Sequence, residues 1–149
     1  ANLNCPGQLA ISGASENIDK AIELAKTKGA SRVVPLAVSG AFHSPLMQPA
    51  VDGMAEVLAN IDFQNSAVPI IANTTAQPLT VATEIKSELL DQLSNSVQWQ
   101  RSVEYMIANG VNTFIEIGPG KVLSGMIKRI KKDADIINIS DLDTIKNLT

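Results

Sequence analysis

The chain has 149 residues, of which 45% are hydrophobic, 18% charged and 3% aromatic, a composition that fits a globular α/β protein with one core of ordinary size and excludes a disordered chain. Twelve lysines and arginines against 15 aspartates and glutamates give a formal charge of −3, which leaves no basic footprint for nucleic acid. No apolar run approaches the roughly 20 residues that span a bilayer, so neither nucleic acid nor membrane is expected as a partner.

A single cysteine, Cys5, rules out an intrachain disulfide, and one histidine beside it is too little for a protein zinc site. No cofactor or metal is expected, and the thiol is compatible with a reducing cytoplasm. The opening residues, Ala-Asn-Leu-Asn-Cys-Pro-Gly, have neither the charged nor the apolar region of a signal peptide. They also lack an initiating methionine, and the chain reads as a piece of a longer polypeptide.

In chain order, Asn2 to Gln8 is turn chemistry, with Pro6-Gly7 favouring a tight bend. Leu9 to Ser12 reads as a short strand. Ser15 caps a helix running through Lys28, with Ile18, Ala21, Ile22 and Ala25 on one face and Gly29 as its stop. Arg32 to Val38 (RVVPLAV) reads as a buried strand, which completes a strand–helix–strand unit.

A helix follows from Pro49 to Ile61, with Val51, Met54, Val57, Leu58 and Ile61 at three- and four-residue steps. Ala67 to Asn73 (AVPIIAN) has the continuous apolar character of a buried strand. Asn73 to Pro78 is a loop, Ala82 to Leu93 a helix, and Ser94 to Trp99 a connection. Gln100 to Asn109 is a helix stopped by Gly110, Val111 to Ile117 a buried strand, and Lys121 to Lys132 a helix opened by Gly118-Pro119-Gly120. Ile136 to Ile139 reads as an edge strand before a short terminal helix. The glycine turn could cradle a phosphate, but it lacks both the Walker pattern and the dinucleotide fingerprint, and a tight turn for strand–helix packing is the simpler reading.

The chemistry concentrates between Val38 and Pro49, because His43 is the only histidine. Imidazole is the one side chain that ordinarily trades a proton near neutral pH. Pro45 biases Ser44 away from helix, so His43 falls on a loop leading from the predicted strand into a helix, where functional residues commonly sit. The residues alone leave two readings open: a general base, or a partly exposed loop histidine without catalytic consequence.

Ala41-Phe42-His43-Ser44-Pro45-Leu46-Met47 closely resembles the histidine motif of malonyl-CoA:acyl carrier protein transacylases and the acyltransferase domains of polyketide and fatty acid synthases. Three further stretches, one before it and two after, stand in the order that family requires. Asn2-x-Asn4-x-Pro6-Gly7-Gln8 with Ile11-Ser12-Gly13 is similar to a segment whose asparagines face the acyl-CoA cleft. Val97-Gln98-Trp99 with Ser102-Val103 resembles a segment whose glutamine approaches the catalytic histidine, and Glu116-x-Gly118-Pro119-Gly120-Lys121-Val122-Leu123 resembles a late motif.

The resemblance implies an α/β fold, part of an α/β-hydrolase-like acyltransferase core. Residues 1–38 would form the second half of a small ferredoxin-like subdomain, and residues 39–149 the C-terminal part of the large one. It implies that His43 is the base of a Ser-His pair, that the main-chain carbonyl of Gln98 accepts its Nδ1–H, and that Asn2, Asn4 and Phe42 border the substrate. In related domains an aromatic at the position of Phe42 accompanies malonyl preference by crowding the space of an α-methyl group. Gly40, where many synthase domains have histidine, departs from that pattern. The implied partners are malonyl-CoA, acyl carrier protein and a missing N-terminal half of the same enzyme.

That half matters because the chain has no Gly-x-Ser-x-Gly nucleophile elbow, and Arg32, Arg101 and Arg129 do not match the family's carboxylate-binding arginine. The segment alone is therefore expected to be inactive. Ser39 and Ser44 flank the histidine outside any elbow, and Cys5 lacks a context that would activate it. Two other functions stay open: a non-catalytic module that binds acyl carrier protein, and an unrelated hydrolase fragment using water as acceptor.

Overall fold

The computed structural model describes residues 1–146 as a mixed α/β structure. Strand β1 (Asn2–Cys5) and strand β2 (Gln8–Ala10) form an antiparallel hairpin, and helix α1 (Ser15–Thr27) follows. After an irregular stretch come a single 3₁₀ turn (Pro45–Met47), helix α2 (Gln48–Ala59), and the short antiparallel pair β3 (Ile70–Ile71) and β4 (Pro78–Leu79). Helices α3 (Ala82–Ser94) and α4 (Trp99–Ala108) precede strand β5 (Thr113–Ile117), helix α5 (Val122–Ile130), strand β6 (Asp135–Ile139) and helix α6 (Leu142–Lys146). Among the described residues no helix is long and apolar enough to cross a membrane.

The core forms where β5, α5 and β6 make a parallel strand–helix–strand unit and α4 packs against it. Val103, Phe114, Ile127 and Ala134 are buried together, with Trp99, Met106 and Ile136 against them. Trp99 thus anchors the start of α4, as its large apolar area favours. Alternation along β5 sends Phe114 inward and puts Ile115 and Ile117 on the opposite face, where they are 55% and 78% exposed.

Local signals explain most helix ends. Gly29 and Gly110, at φ +87° and +91°, take the left-handed conformation that closes α1 and α4. The N–H groups of Ala30 and Val111 then reach back to the carbonyls of Ala25 and Met106, the pairing typical of a glycine-terminated helix. Ser15 is the first helical residue of α1 rather than its cap, a position that Ala14 occupies without a side-chain bond.

The Gly118-Pro119-Gly120 turn needs its glycines for backbone angles, φ +134° and +91°, that other residues rarely adopt. Glu116 of β5 accepts bonds from the N–H groups of Leu123 and Ser124 and from the hydroxyl of Ser124, and Asn138 of β6 donates to the same carboxylate. A carboxylate of the protein thus occupies the N-terminus of α5, where an anion would otherwise be favoured. These bonds, chiefly those from Ser124, hold the Glu116 carboxyl below the usual carboxylate range.

The basic end of α5 is also engaged internally. Lys128 donates to the carbonyl of Ala134 at 2.7 Å. Arg129 grips the hairpin turn through Gln8 Oε1 at 2.7 Å and the Pro6 carbonyl at 2.8 Å.

Three expectations about strands need correction. Asn2–Cys5 is a strand rather than a turn, because it has two partners: β2 along one edge and Val97 along the other, with Leu3 N–H donating to Val97 O and Val97 N–H to Ala1 O. Ala67–Asn73 narrows to Ile70–Ile71, since only those residues face β4. Arg32–Val38 is neither a strand nor buried. It joins no ladder, and Val34, Leu36 and Val38 are exposed. An apolar run becomes a strand only where a neighbour pairs with it, and Pro35 contributes no N–H to such a ladder.

Val103→Ala should cost about 2 kcal/mol, the loss of buried methyl groups plus a cavity, whereas Val34→Ala should stay within about 0.5 kcal/mol; urea midpoints measure both. Glu116 contributes through a lowered folded-state pKa, so its stabilisation is complete above the ordinary carboxylate range and fades as pH falls through the folded value. Thermal melts of Glu116→Gln should therefore lie below wild type at neutral pH and converge with it in acid.

Candidate active site around His43

The site is built on the last turn of α3. A helix leaves its final carbonyls without intrahelical partners, and in α3 two of these meet one residue. The Leu93 carbonyl accepts the main-chain N–H of His43 at 3.1 Å, and the Gln92 carbonyl lies 2.6 Å from His43 Nδ1. A carbonyl only accepts, so Nδ1 carries the proton, and in the neutral ring Nε2 keeps its lone pair.

His43 takes φ +57° to make both contacts. That left-handed conformation is uncommon outside glycine and is retained where surrounding bonds over-determine it. The next residues assist. Ser44 is extended at φ −142°, ψ 162°, as expected before proline, and its buried hydroxyl donates to the Ala41 carbonyl at 2.6 Å. That bond commits the Ser44 hydroxyl to holding the loop. The chain then enters the 3₁₀ turn and α2, so His43 does lie on a loop into a helix, although the element before that loop is helix α1 rather than the expected strand.

The carbonyl expected from Gln98 is elsewhere. Gln98 O accepts the N–H of Ser102 at 2.9 Å and its hydroxyl at 3.1 Å, the bonds that start α4, so it is already used by its own helix. Gln92 fills the orienting position, six residues earlier in the chain. Sequence reasoning missed it because Gln92 sits at the end of the amphipathic pattern of α3, where it reads as a polar helix residue. A main-chain contact also leaves no mark on side-chain identity.

Gln98 is nevertheless connected to the site. Its N–H donates to the Asn73 carbonyl at 2.7 Å, and the Asn73 amide donates to the side-chain oxygen of Gln92 at 2.7 Å. Because Val97 also pairs with β1, hydrogen bonds run from β1 through Val97–Gln98, Asn73 and Gln92 to His43.

Asn2 and Asn4 lie on β1, two residues apart and half-buried. Neither side chain bonds to another described residue, which leaves their amides uncommitted. Phe42 is 43% exposed. Its ring lies over Gly40, where a Cβ would meet ring carbons at 3.5 and 3.6 Å and Met47 Sδ at 3.8 Å. Cys5, the last residue of β1, is buried, with Sγ 3.7 Å from Gln8 Oε1, as suits a small packed thiol.

An imidazole with a fixed Nδ1 proton and a bare Nε2 can take a proton from a hydroxyl or thiol and return it. Against this geometry the comparisons are informative. The malonyl CoA-acyl carrier protein transacylase of Bacillus subtilis (strain 168) is 49% identical over 146 residues, covering 98% of this chain and 46% of that protein. The acyl carrier protein S-malonyltransferase of Vibrio cholerae superposes with a TM-score of 0.95 at 39% identity, over 100% of this chain and 49% of that one. A malonyl-transacylase solved in complex with its type II PKS acyl-carrier protein gives a TM-score of 0.93 at 37% identity, over 99% of this chain and 48% of that one. The chain spans about half the length of the curated relatives it matches. The family model for the acyl transferase domain aligns with residues 1–145, and the chain belongs to that family.

Proposed function

We propose that this chain supplies the base and part of the cleft of an enzyme that moves a malonyl group from malonyl-CoA to the phosphopantetheine thiol of acyl carrier protein. One observation carries the reading: His43 Nδ1 is held 2.6 Å from the Gln92 carbonyl, the arrangement a Ser-His pair needs. The relatives' names support the substrates, and the complex of a malonyl-transacylase with its acyl-carrier protein supports the partner.

In this reaction His43 Nε2 removes the proton of a serine hydroxyl as its oxygen attacks the thioester carbonyl. The tetrahedral intermediate collapses, the imidazolium returns the proton to the departing CoA sulfur, and an acyl-serine remains. In the second half the pantetheine thiol gives its proton to Nε2, attacks the acyl-serine, and the serine recovers a proton as it leaves. During each half the positive ring faces carbonyl dipoles at the end of α3, which stabilise it. Asn2 and Asn4 offer free amides to the acyl-CoA, and Phe42 limits the space beside the acyl α-carbon.

The serine, and the arginine that pairs with the malonyl carboxylate, are absent from the motifs of this chain and would come from the other half of the enzyme. Its seat is suggested by apolar surface left uncovered among the described residues: Ile115 and Ile117 on the second face of β5, and Val34, Leu36 and Val38 along the irregular stretch before His43. A parallel pair such as β5–β6 is ordinarily covered on both faces. In this reading residues 1–38 belong to a ferredoxin-like subdomain and residues 39–149 to a hydrolase-like one, with β1 packing on α4 and α5 where they meet.

The 149-residue chain incubated with labelled malonyl-CoA should form no acyl-protein. Mixed with the remaining half of the Bacillus subtilis relative, it should form one and pass the label to acyl carrier protein. His43→Ala should lower that transfer about 10³-fold. Equal transfer by His43→Ala would refute the reading, and carrier-protein binding by the complete pair without acylation would favour a docking module.

A further inference from the structure

Asn73 lies just beyond β3 and uses two polar groups at once. Its carbonyl accepts the Gln98 N–H, and its side-chain Nδ2 donates to Gln92 Oε1, each at 2.7 Å. The adjacent Thr74 donates its N–H to Glu88 at 2.9 Å and its hydroxyl to the other carboxylate oxygen at 2.5 Å. Glu88 and Gln92 are one turn apart and share a face of α3, so the loop is fastened along that face up to the helix end.

The last turn of a helix frays because its carbonyls lack partners. Here the residue whose side chain Asn73 holds is the one whose carbonyl meets the imidazole. A Gln92 side chain fixed at 2.7 Å limits rotation of its own backbone, and hence the aim of its carbonyl.

We propose that Asn73 is a positioning residue that keeps the final turn of α3 wound through Gln92, and so holds His43 in the Nδ1–H tautomer. The proposal deepens the reading of His43 as base and rests on it for its consequence in acyl transfer. Its effect on the ring can be read without any acyl chemistry. Through the Gln98 N–H, the same asparagine ties the strand carrying Asn2 and Asn4 to that ring.

The test uses the chain's single histidine, whose ring nitrogens give one unambiguous pair of ¹⁵N signals. With the ring neutral, wild type should show a protonated Nδ1 and a bare Nε2, the reverse of free histidine. Asn73→Ala should lower the ratio of Nδ1–H to Nε2–H about fivefold, the size expected for one lost neutral hydrogen bond. Asn73→Asp should restore it, because the Gln92 amide can turn over and donate to the carboxylate. Should Asn73→Ala fail to fold, Gln92→Ala removes the same contact with a strong helix former and must give the same fall. A folded Asn73→Ala or Gln92→Ala with the wild-type ratio, or a wild-type ring protonated on Nε2, would overturn the proposal. Loss of the tautomer effect with His43-dependent malonyl transfer intact would sink this inference alone. The tautomer effect without any transfer would sink only the proposed reaction.

Discussion

A helix cannot satisfy its own last carbonyls, and the site depends on how α3 resolves that deficit. Two of those oxygens take the main chain and the ring of His43, so one unmet backbone requirement sets the histidine's position, its unusual backbone angle and its protonated nitrogen. Each contact is modest alone; a neutral hydrogen bond contributes about 1 kcal/mol net. Two on one residue, with a proline-restricted Ser44 after it, leave the ring few alternatives.

The same logic of shared polar groups joins distant parts of the chain. Glu116 occupies the head of α5, and Arg129 at the other end of that helix grips the β1–β2 turn. β1 in turn pairs with Val97, whose neighbour Gln98 donates to Asn73, the residue that holds Gln92. The strand offering free asparagine amides and the helix end holding the imidazole are therefore linked by backbone and amide bonds. The apolar residues left in the open, Ile115, Ile117, Val34, Leu36 and Val38, are the complement of that order. Among the described residues nothing covers them.

What the sequence disclosed follows from how local each cause is. Helices α1 to α5 were legible because three- and four-residue apolar spacing and the stops at Gly29 and Gly110 act within the segment itself. The α/β class, the family and the loop position of His43 were legible too. Strands were legible only where partners exist: β5 and β6 find each other, whereas Arg32–Val38, equally apolar, pairs with no described residue and stays exposed. The site was half legible. A lone imidazole announces itself, but the carbonyl that aims it belongs to Gln92, and a main-chain contact across 49 residues of chain leaves no signature in the identities of the side chains. Gln98, named in its place, is coupled to the site through its N–H rather than its carbonyl.

The central claim is the bond between the His43 ring and the end of α3, and scalar coupling across that hydrogen bond tests it most directly. With ring ¹⁵N and backbone ¹³C labels, the Nδ1–H of His43 should correlate with the carbonyl carbon of Gln92. Correlation with the carbonyl of Gln98, or an Nδ1 that carries no proton when the ring is neutral, would contradict the account.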